Sequence, residues 1–242
     1  MGNIIGESEL LDKILFATDG SDSSLVAEKL AAFVAKKFKS KVTVLHATFS
    51  TSFETIGLPL TRPVKEGRIY LSPRTPEPFE EISESLRQRG TVLVANAVAL
   101  FKEQGIEVDQ KIESDEATEA ILKEAESGSY GLIIMGASGK MTRKPHLGYI
   151  TKKAALNAKS SVLIARQLEI SKILVPVDGS EDSLKAFEHA VALAKEMDTK
   201  ITLINVMDSN FFRVKPEFNK EIGKKILSQA ADKAEGVKHI KD

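Results

Sequence analysis

The chain has no cysteine, so disulfides, thiolate nucleophiles and Cys-ligated zinc drop out at once. It has no excess of either charge, since 34 Lys and Arg residues balance 34 Asp and Glu. The whole-chain attraction that supplies most nonspecific nucleic-acid affinity is therefore missing, and no nucleic-acid partner is expected. No apolar run approaches the roughly 20 residues of a membrane span, so no membrane association is expected. Met1 to Leu11 carries Glu7 and Glu9 where a secretory signal needs basic residues and then an apolar run, and a cytoplasmic protein is expected. His46, His146, His189 and His239 are scattered, with no pair at ligand spacing. Walker glycine-lysine, Gly-x-Gly-x-x-Gly and Ser-His-Asp patterns are all absent.

What is present is a repeat. Asp12-Lys-Ile-Leu-Phe-Ala-Thr-Asp-Gly-Ser21 returns as Ser171-Lys-Ile-Leu-Val-Pro-Val-Asp-Gly-Ser180, and the register holds without gaps through Lys41-Val-Thr-Val-Leu-His-Ala47 against Lys200-Ile-Thr-Leu-Ile-Asn-Val206. A length of 242 residues accommodates two domains. Each copy reads as strand, turn, helix, strand. Ile14 to Thr18 is a short apolar run suited to a strand buried on both faces. Asp19-Gly20-Ser21 supplies a turn and a helix cap, as does Asp178-Gly179-Ser180. Leu25, Leu30, Phe33, Val34 and Phe38 follow roughly helical spacing, and Val42 to Ala47 is the second strand. A strand-helix-strand unit of this size implies a parallel pair with a right-handed crossover.

After a proline-rich stretch from Phe49 to Pro78, assigned no regular structure, Phe79, Ile82, Leu86, Leu93, Ala97, Leu100 and Phe101 recur at helical spacing, with Gly90 weakening the middle. Strands follow near Glu107 to Ile112, Gly131 to Met135 and Ser161 to Arg166. Helices are expected over Ala117 to Glu126 and Ile150 to Ala158. In the second copy a helix is expected from about Pro216 to Glu235, then the beginning of a third strand at Val237 to Ile240.

The strand ending in Asp-Gly-Ser, the Val-Thr-Val-Leu-His strand, Leu-Ile-Ile-Met-Gly-Ala-Ser-Gly at residues 132–139 and Ser161-Val-Leu-Ile-Ala together resemble the universal stress protein family. The resemblance implies an α/β fold, an open parallel five-strand sheet with helices on both faces, duplicated with a truncated second copy. The domains would be residues 1–168 and 169–242, the latter the front half of a domain and so lacking its own nucleotide site. A sheet cut short there leaves apolar faces uncovered, so either another surface, from the first copy or a partner chain, covers them or the sequence is a fragment of a longer protein, and the fragment is expected.

The family's nucleotide-binding members imply an adenine nucleotide, ATP or AMP, at the C-terminal edge of the sheet, with no metal beyond a nucleotide-associated magnesium. By matching positions, Ala17, Thr18 and Asp19 would line the adenine and ribose side, Ala47 and Met135 would contribute backbone groups, and Gly136 and Gly139 would let backbone N–H groups approach phosphates. Gly148, Tyr149 and Ile150 would add the positive end of the next helix. One departure stands out. Those relatives show Gly-x2-Gly-x9-Gly followed by Ser or Thr, whereas this chain has Gly136-x2-Gly139-x8-Gly148 followed by Tyr149. Tyr149 would obstruct the phosphate path or offer a phenolic donor, and Lys140, Arg143, Lys144 and His146 offer phosphate pairing by another route.

Each feature has a plainer reading. Asp19 and Asp178 are also good turn formers, Gly136 and Gly139 suit a tight turn, and the basic loop suits a solvated surface. His46, opposite Asn205 in the repeat, reads as a core or rim residue rather than a base. Two functions therefore stand: a non-catalytic nucleotide-binding regulatory module, or a structural or interaction module acting through dimerisation. Slow ATP hydrolysis, a third reading, lacks a nameable base. The duplicated surface predicts pseudo-two-fold packing between the copies and a homo-oligomer.

Overall fold

A computed structural model describes residues 11–48, 77–139, 146–168, 170–206, 216–232 and 240–241. The chain divides into two compact units, Leu11–Arg166 and the residues from Gln167 onward. Most of the stretch from Phe49 to Pro78, the basic residues Lys140, Arg143 and Lys144, and residues 233–239 lie outside the described part.

In the first unit the elements run β1 (Lys13–Ala17), α1 (Asp22–Phe38), β2 (Lys41–Thr48), α2 (Glu77–Glu103), β3 (Val108–Ser114), α3 (Ala117–Ser127), β4 (Leu132–Gly136), α4 (Tyr149–Asn157) and β5 (Ser161–Ala165). The sheet order is β3-β2-β1-β4-β5, and every neighbouring pair is parallel. The expected open parallel five-strand sheet is thus observed. Beyond the exposed Lys13, the inner strands β1 and β4 are apolar, and Ile14, Leu15, Phe16, Ile133 and Ile134 are fully buried, as a parallel sheet covered on both faces requires. The chain reverses direction across the sheet between β1 and β4, which leaves a crevice beyond their C-terminal ends.

Helix α1 starts because Ser21, in extended conformation, accepts a hydrogen bond from the Ser24 N–H. Lys39 in the left-handed region stops it. Its buried stripe is Ala27, Leu30, Ala31, Val34 and Ala35, while Leu25 and Phe33 face outward at 49% and 38% exposure, so the sequence stripe drawn through them was misplaced. Helix α2 runs unbroken through Gly90. A Cβ there would lie 2.7 Å from the His46 ring and 3.2 Å from Thr48, so this glycine permits close approach to β2 rather than weakening the helix. Phe101 at the end of α2 meets Phe16 edge to face at 5.9 Å.

The second unit comprises β6 (Lys172–Pro176), α5 (Glu181–Met197), β7 (Lys200–Ile204), α6 (Pro216–Asp232) and β8 (Ile240–Lys241), in the sheet order β6-β7-β8. This repeats the arrangement of β1, β2 and β3. Its core of Val175, Val177, Phe187, Val191, Ile201 and Leu203 lies on the side packed by Ile226 and Leu227 of α6. On the other side the repeat diverges. Leu15 is fully buried among Ile121, Ile133, Met135 and Ala154, whereas its counterpart Leu174 is 62% exposed.

Candidate functional site

The turn after β1 is built twice from the same bonds. The Asp19 carboxylate accepts from the Ser21 N–H at 2.9 Å, and Asp178 accepts from Ser180 at the same distance. Those bonds, with the Ser180 hydroxyl first, pull the Asp178 carboxyl down to about 2. Gly20 and Gly179 have φ of 69° and 85°, the left-handed region that a Cβ disfavours. The Thr18 N–H donates to the Leu45 carbonyl at 3.0 Å, and Val177 donates to Ile204 at 2.8 Å. His46 contributes from the neighbouring strand: its Nδ1–H donates to the Thr18 carbonyl at 2.7 Å, and Asn205 Nδ2 donates to Val177 at the same 2.7 Å. A half-buried histidine serving as a backbone donor, interchangeable with asparagine, fits the core or rim reading. The turn reading of Asp19 and Asp178 therefore holds as geometry, and Asp19 additionally faces a cavity.

That cavity, of ≈ 410 Å³, opens beyond the ends of β1 and β4. All ten residues singled out from the sequence line it: Ala17, Thr18, Asp19, Ala47, Met135, Gly136, Gly139, Gly148, Tyr149 and Ile150. Leu45, Ala117, Ile121, Ser24, Ser138 and Thr151 line it too and were not singled out. Ser138 was legible as an interior residue of the Gly136-x2-Gly139 pair. Ala117 and Ile121 show the four-residue spacing of one face of α3, but nothing in their sequence says that this face meets the sheet end.

The two glycines do different jobs. A Cβ on Gly136 would lie 2.7 Å from the Ser23 carbonyl carbon and 2.8 Å from the Ser24 nitrogen, so Gly136 lets β4 pass against the start of α1. Among the described residues, a Cβ on Gly139 would meet Asp19 Oδ2, at 2.9 Å, so this glycine brings backbone up to the carboxylate itself. The loop between them is latched to α1: the Ser138 N–H donates to Ser23 Oγ at 3.2 Å, and Ser21 Oγ donates to the Ser138 carbonyl at 3.3 Å. The Gly148 N–H donates back to the Ala137 carbonyl at 2.8 Å.

Helix α4 then begins at Gly148 with no side-chain cap, leaving its N-terminal amide end for solvent or a ligand. Tyr149 is 67% exposed, with Lys153 Nζ 5.1 Å from its ring centroid, so it forms a rim and not a plug. The hydroxyl sought directly after Gly148 occurs two residues later. Thr151 is buried, and its Oγ1 donates to the Gly136 carbonyl at 2.9 Å, bracing the loop from behind. The floor is apolar, with Ala17, Leu45, Ile121 and Met135 all buried. Asp19 is the only carboxylate among the described lining residues, which include no His, Lys or Arg. Among the described residues no cluster of three or more side chains could hold a metal, and no helix is long and apolar enough to cross a membrane.

A cavity of this size, with an apolar floor, one carboxylate and an open helix start at the sheet's switch point, suits a small organic ligand carrying a hydroxyl-bearing part and an anionic end. The universal stress protein family model matches residues 11–166 and 169–240. A universal stress protein of Methanocaldococcus jannaschii is 29% identical over 169 residues, 69% of this chain and 89% of that one. Universal stress protein YxiE of Bacillus subtilis is 27% identical over 159 residues, 65% of this chain and all of that one. Among solved structures, a universal stress protein from Archaeoglobus fulgidus superposes with a TM-score of 0.61 at 17% identity, covering 95% of this chain and 77% of that one. UspA from Lactobacillus plantarum gives 0.52 at 16% identity, covering 64% and 97%.

Proposed function

The chain belongs to the universal stress protein family, and we propose that its first domain is a regulatory module that binds an adenine nucleotide, ATP or AMP, without dedicated catalysis. The observation that carries this reading is the convergence of all ten motif residues, drawn from β1, β2, β4, the following loop and the start of α4, on one cavity at the switch point. The apolar floor accepts a flat base, and the Asp19 carboxylate accepts ribose hydroxyl protons. Gly139 and the uncapped start of α4 face the anionic end, where backbone N–H groups and the helix dipole favour negative charge. Among the described lining residues Asp19 is the one candidate proton acceptor, and it is already engaged with the Ser21 N–H.

Isothermal titration with AMP and ATP tests the reading, alongside thermal shift, in which a ligand at 100 times its Kd adds about 2.7 kcal/mol. Binding is expected for the native chain and at least tenfold weaker binding for Asp19→Ala. No heat and no shift at millimolar nucleotide would sink it. A second reading, an interaction module of the same fold, is favoured by the apolar residues Leu174, Ile204 and Val206 exposed on the second unit. Nucleotide-independent dimerisation in sedimentation, together with silent titrations, would select that reading.

A further inference from the structure

In the register that pairs Asp19 with Asp178, Glu28 of α1 corresponds to Phe187 of α5. Phe187 is 1% exposed and fills the space beside α6, packed with Val175, Val177, Ile226 and Leu227. In the first copy the corresponding space is open: a cleft of ≈ 600 Å³ lies between α1 and α2, lined by Thr18, Leu25, Glu28, Arg89, Val92 and Leu93, among others. Glu28 is only 9% exposed and, among the described residues, receives no hydrogen bond. Burial pushes its carboxyl up, against the opposing pull of Lys29. Leu25 and Val92 beside it are 49% and 62% exposed.

A largely buried carboxylate that lines the cleft without a hydrogen bond among the described residues is costly for a fold to keep, and the second copy shows that an apolar side chain meets the packing requirement at the same place. A complementary occupant would be a cation whose remainder is apolar. The exposed guanidinium of Arg89 disfavours a second positive charge.

We propose that the α1–α2 cleft of the first domain is a binding site for a small amphiphilic monoamine, its ammonium held by Glu28 and its apolar body laid on Leu25, Val92 and Leu93. The site is distinct from the nucleotide-type cavity, but the two share a wall. Thr18 lines both, its Oγ1 accepting from the Gly20 N–H and donating to Ser24 Oγ, each at 3.3 Å.

The test uses the full chain, with hexylammonium chloride as the probe and 1-hexanol as its neutral counterpart, read by amide chemical-shift perturbation. Hexylammonium is expected to shift Leu25, Val92 and Leu93 saturably, with an apparent Kd at least tenfold below that of hexanol. Glu28→Gln, nearly isosteric, should abolish that difference, and Glu28→Phe should abolish binding of both while raising Tm. Asp19→Ala should leave the probe's affinity unchanged, which separates this site from the nucleotide reading. Equal affinity for the two probes, undiminished hexylammonium binding in Glu28→Gln, loss of binding in Asp19→Ala, or no saturable shift at all would each overturn the proposal. If Glu28→Phe does not fold, the Gln variant and the probe pair still decide it.

Discussion

Alanine at Gly136 should damage the fold, whereas alanine at Gly139 should damage only the site. At Gly136 the new methyl would meet backbone atoms of Ser23 and Ser24 at 2.7–2.9 Å, and neither β4 nor the first turn of α1 can rotate away as a side chain would. Overpacking of this kind costs about 1–3 kcal/mol, and contact with backbone on both sides places it toward the upper end. Removing a glycine also restricts the unfolded chain, which returns about 0.4–1 kcal/mol. A net loss of about 2 kcal/mol corresponds to a fall of roughly 4–8 °C in Tm for a unit of this size. At Gly139 the obstacle among the described residues is the terminal oxygen of Asp19 at 2.9 Å, which a side-chain rotation relieves. Its stability change should stay within about 0.5 kcal/mol, but the displaced carboxylate should weaken AMP binding. Scanning calorimetry on both full-length variants, followed by titration with AMP, separates the two effects. If Gly136→Ala keeps its Tm while losing nucleotide, that glycine exists for the ligand and the packing argument is wrong.

Two further outcomes follow from the same geometry. Leu15→Ala should cost about 2–5 kcal/mol and Leu174→Ala less than about 1 kcal/mol in denaturant unfolding, because the same residue at the same repeat position is fully buried in one copy and 62% exposed in the other; equal losses would refute this. The Tyr130 phenol, pushed up to about 12 by burial and then by its hydrogen bond to Glu124 at 2.6 Å, should ionise well above the ordinary tyrosine value in ultraviolet difference spectra. Its stabilisation is complete below the ordinary tyrosine value near 10 and is lost as pH rises through about 12. Titration of Tyr130 at the ordinary value would show that the phenol is neither buried nor held by Glu124 as described.

The turn at Asp19-Gly20-Ser21 and the apolar strands were legible because each depends on local chemistry, whereas the gathering of the motif residues at one sheet end was what the family resemblance implied. Gly90 was misread, because helical propensity is a property of α2 alone while the need for a missing Cβ comes from His46 on β2. Leu25 and Phe33 misled for a related reason. Alanines 27, 31 and 35 carry the buried stripe of α1, and small residues mark close packing only once the neighbouring strand is known. Thr151 escaped notice because its hydroxyl turns back to Gly136 instead of toward the cavity. Glu28 carried no signal in the sequence, because only its place beside α2 sets it apart from other charged residues of the helix.

The latch between Ser21 and Ser138 joins residues 117 positions apart. During synthesis β4 therefore cannot reach β1 until β1, β2, β3 and three helices have already left the ribosome. The bonds that shape the Asp19 turn come from Ser21, Leu45 and His46, all made early. The second copy, with three strands in the order β6-β7-β8, makes the same turn bonds around Asp178 with no counterpart of β4 among its described residues. The carboxylate side of the cavity thus takes its shape from bonds that do not require the glycine side.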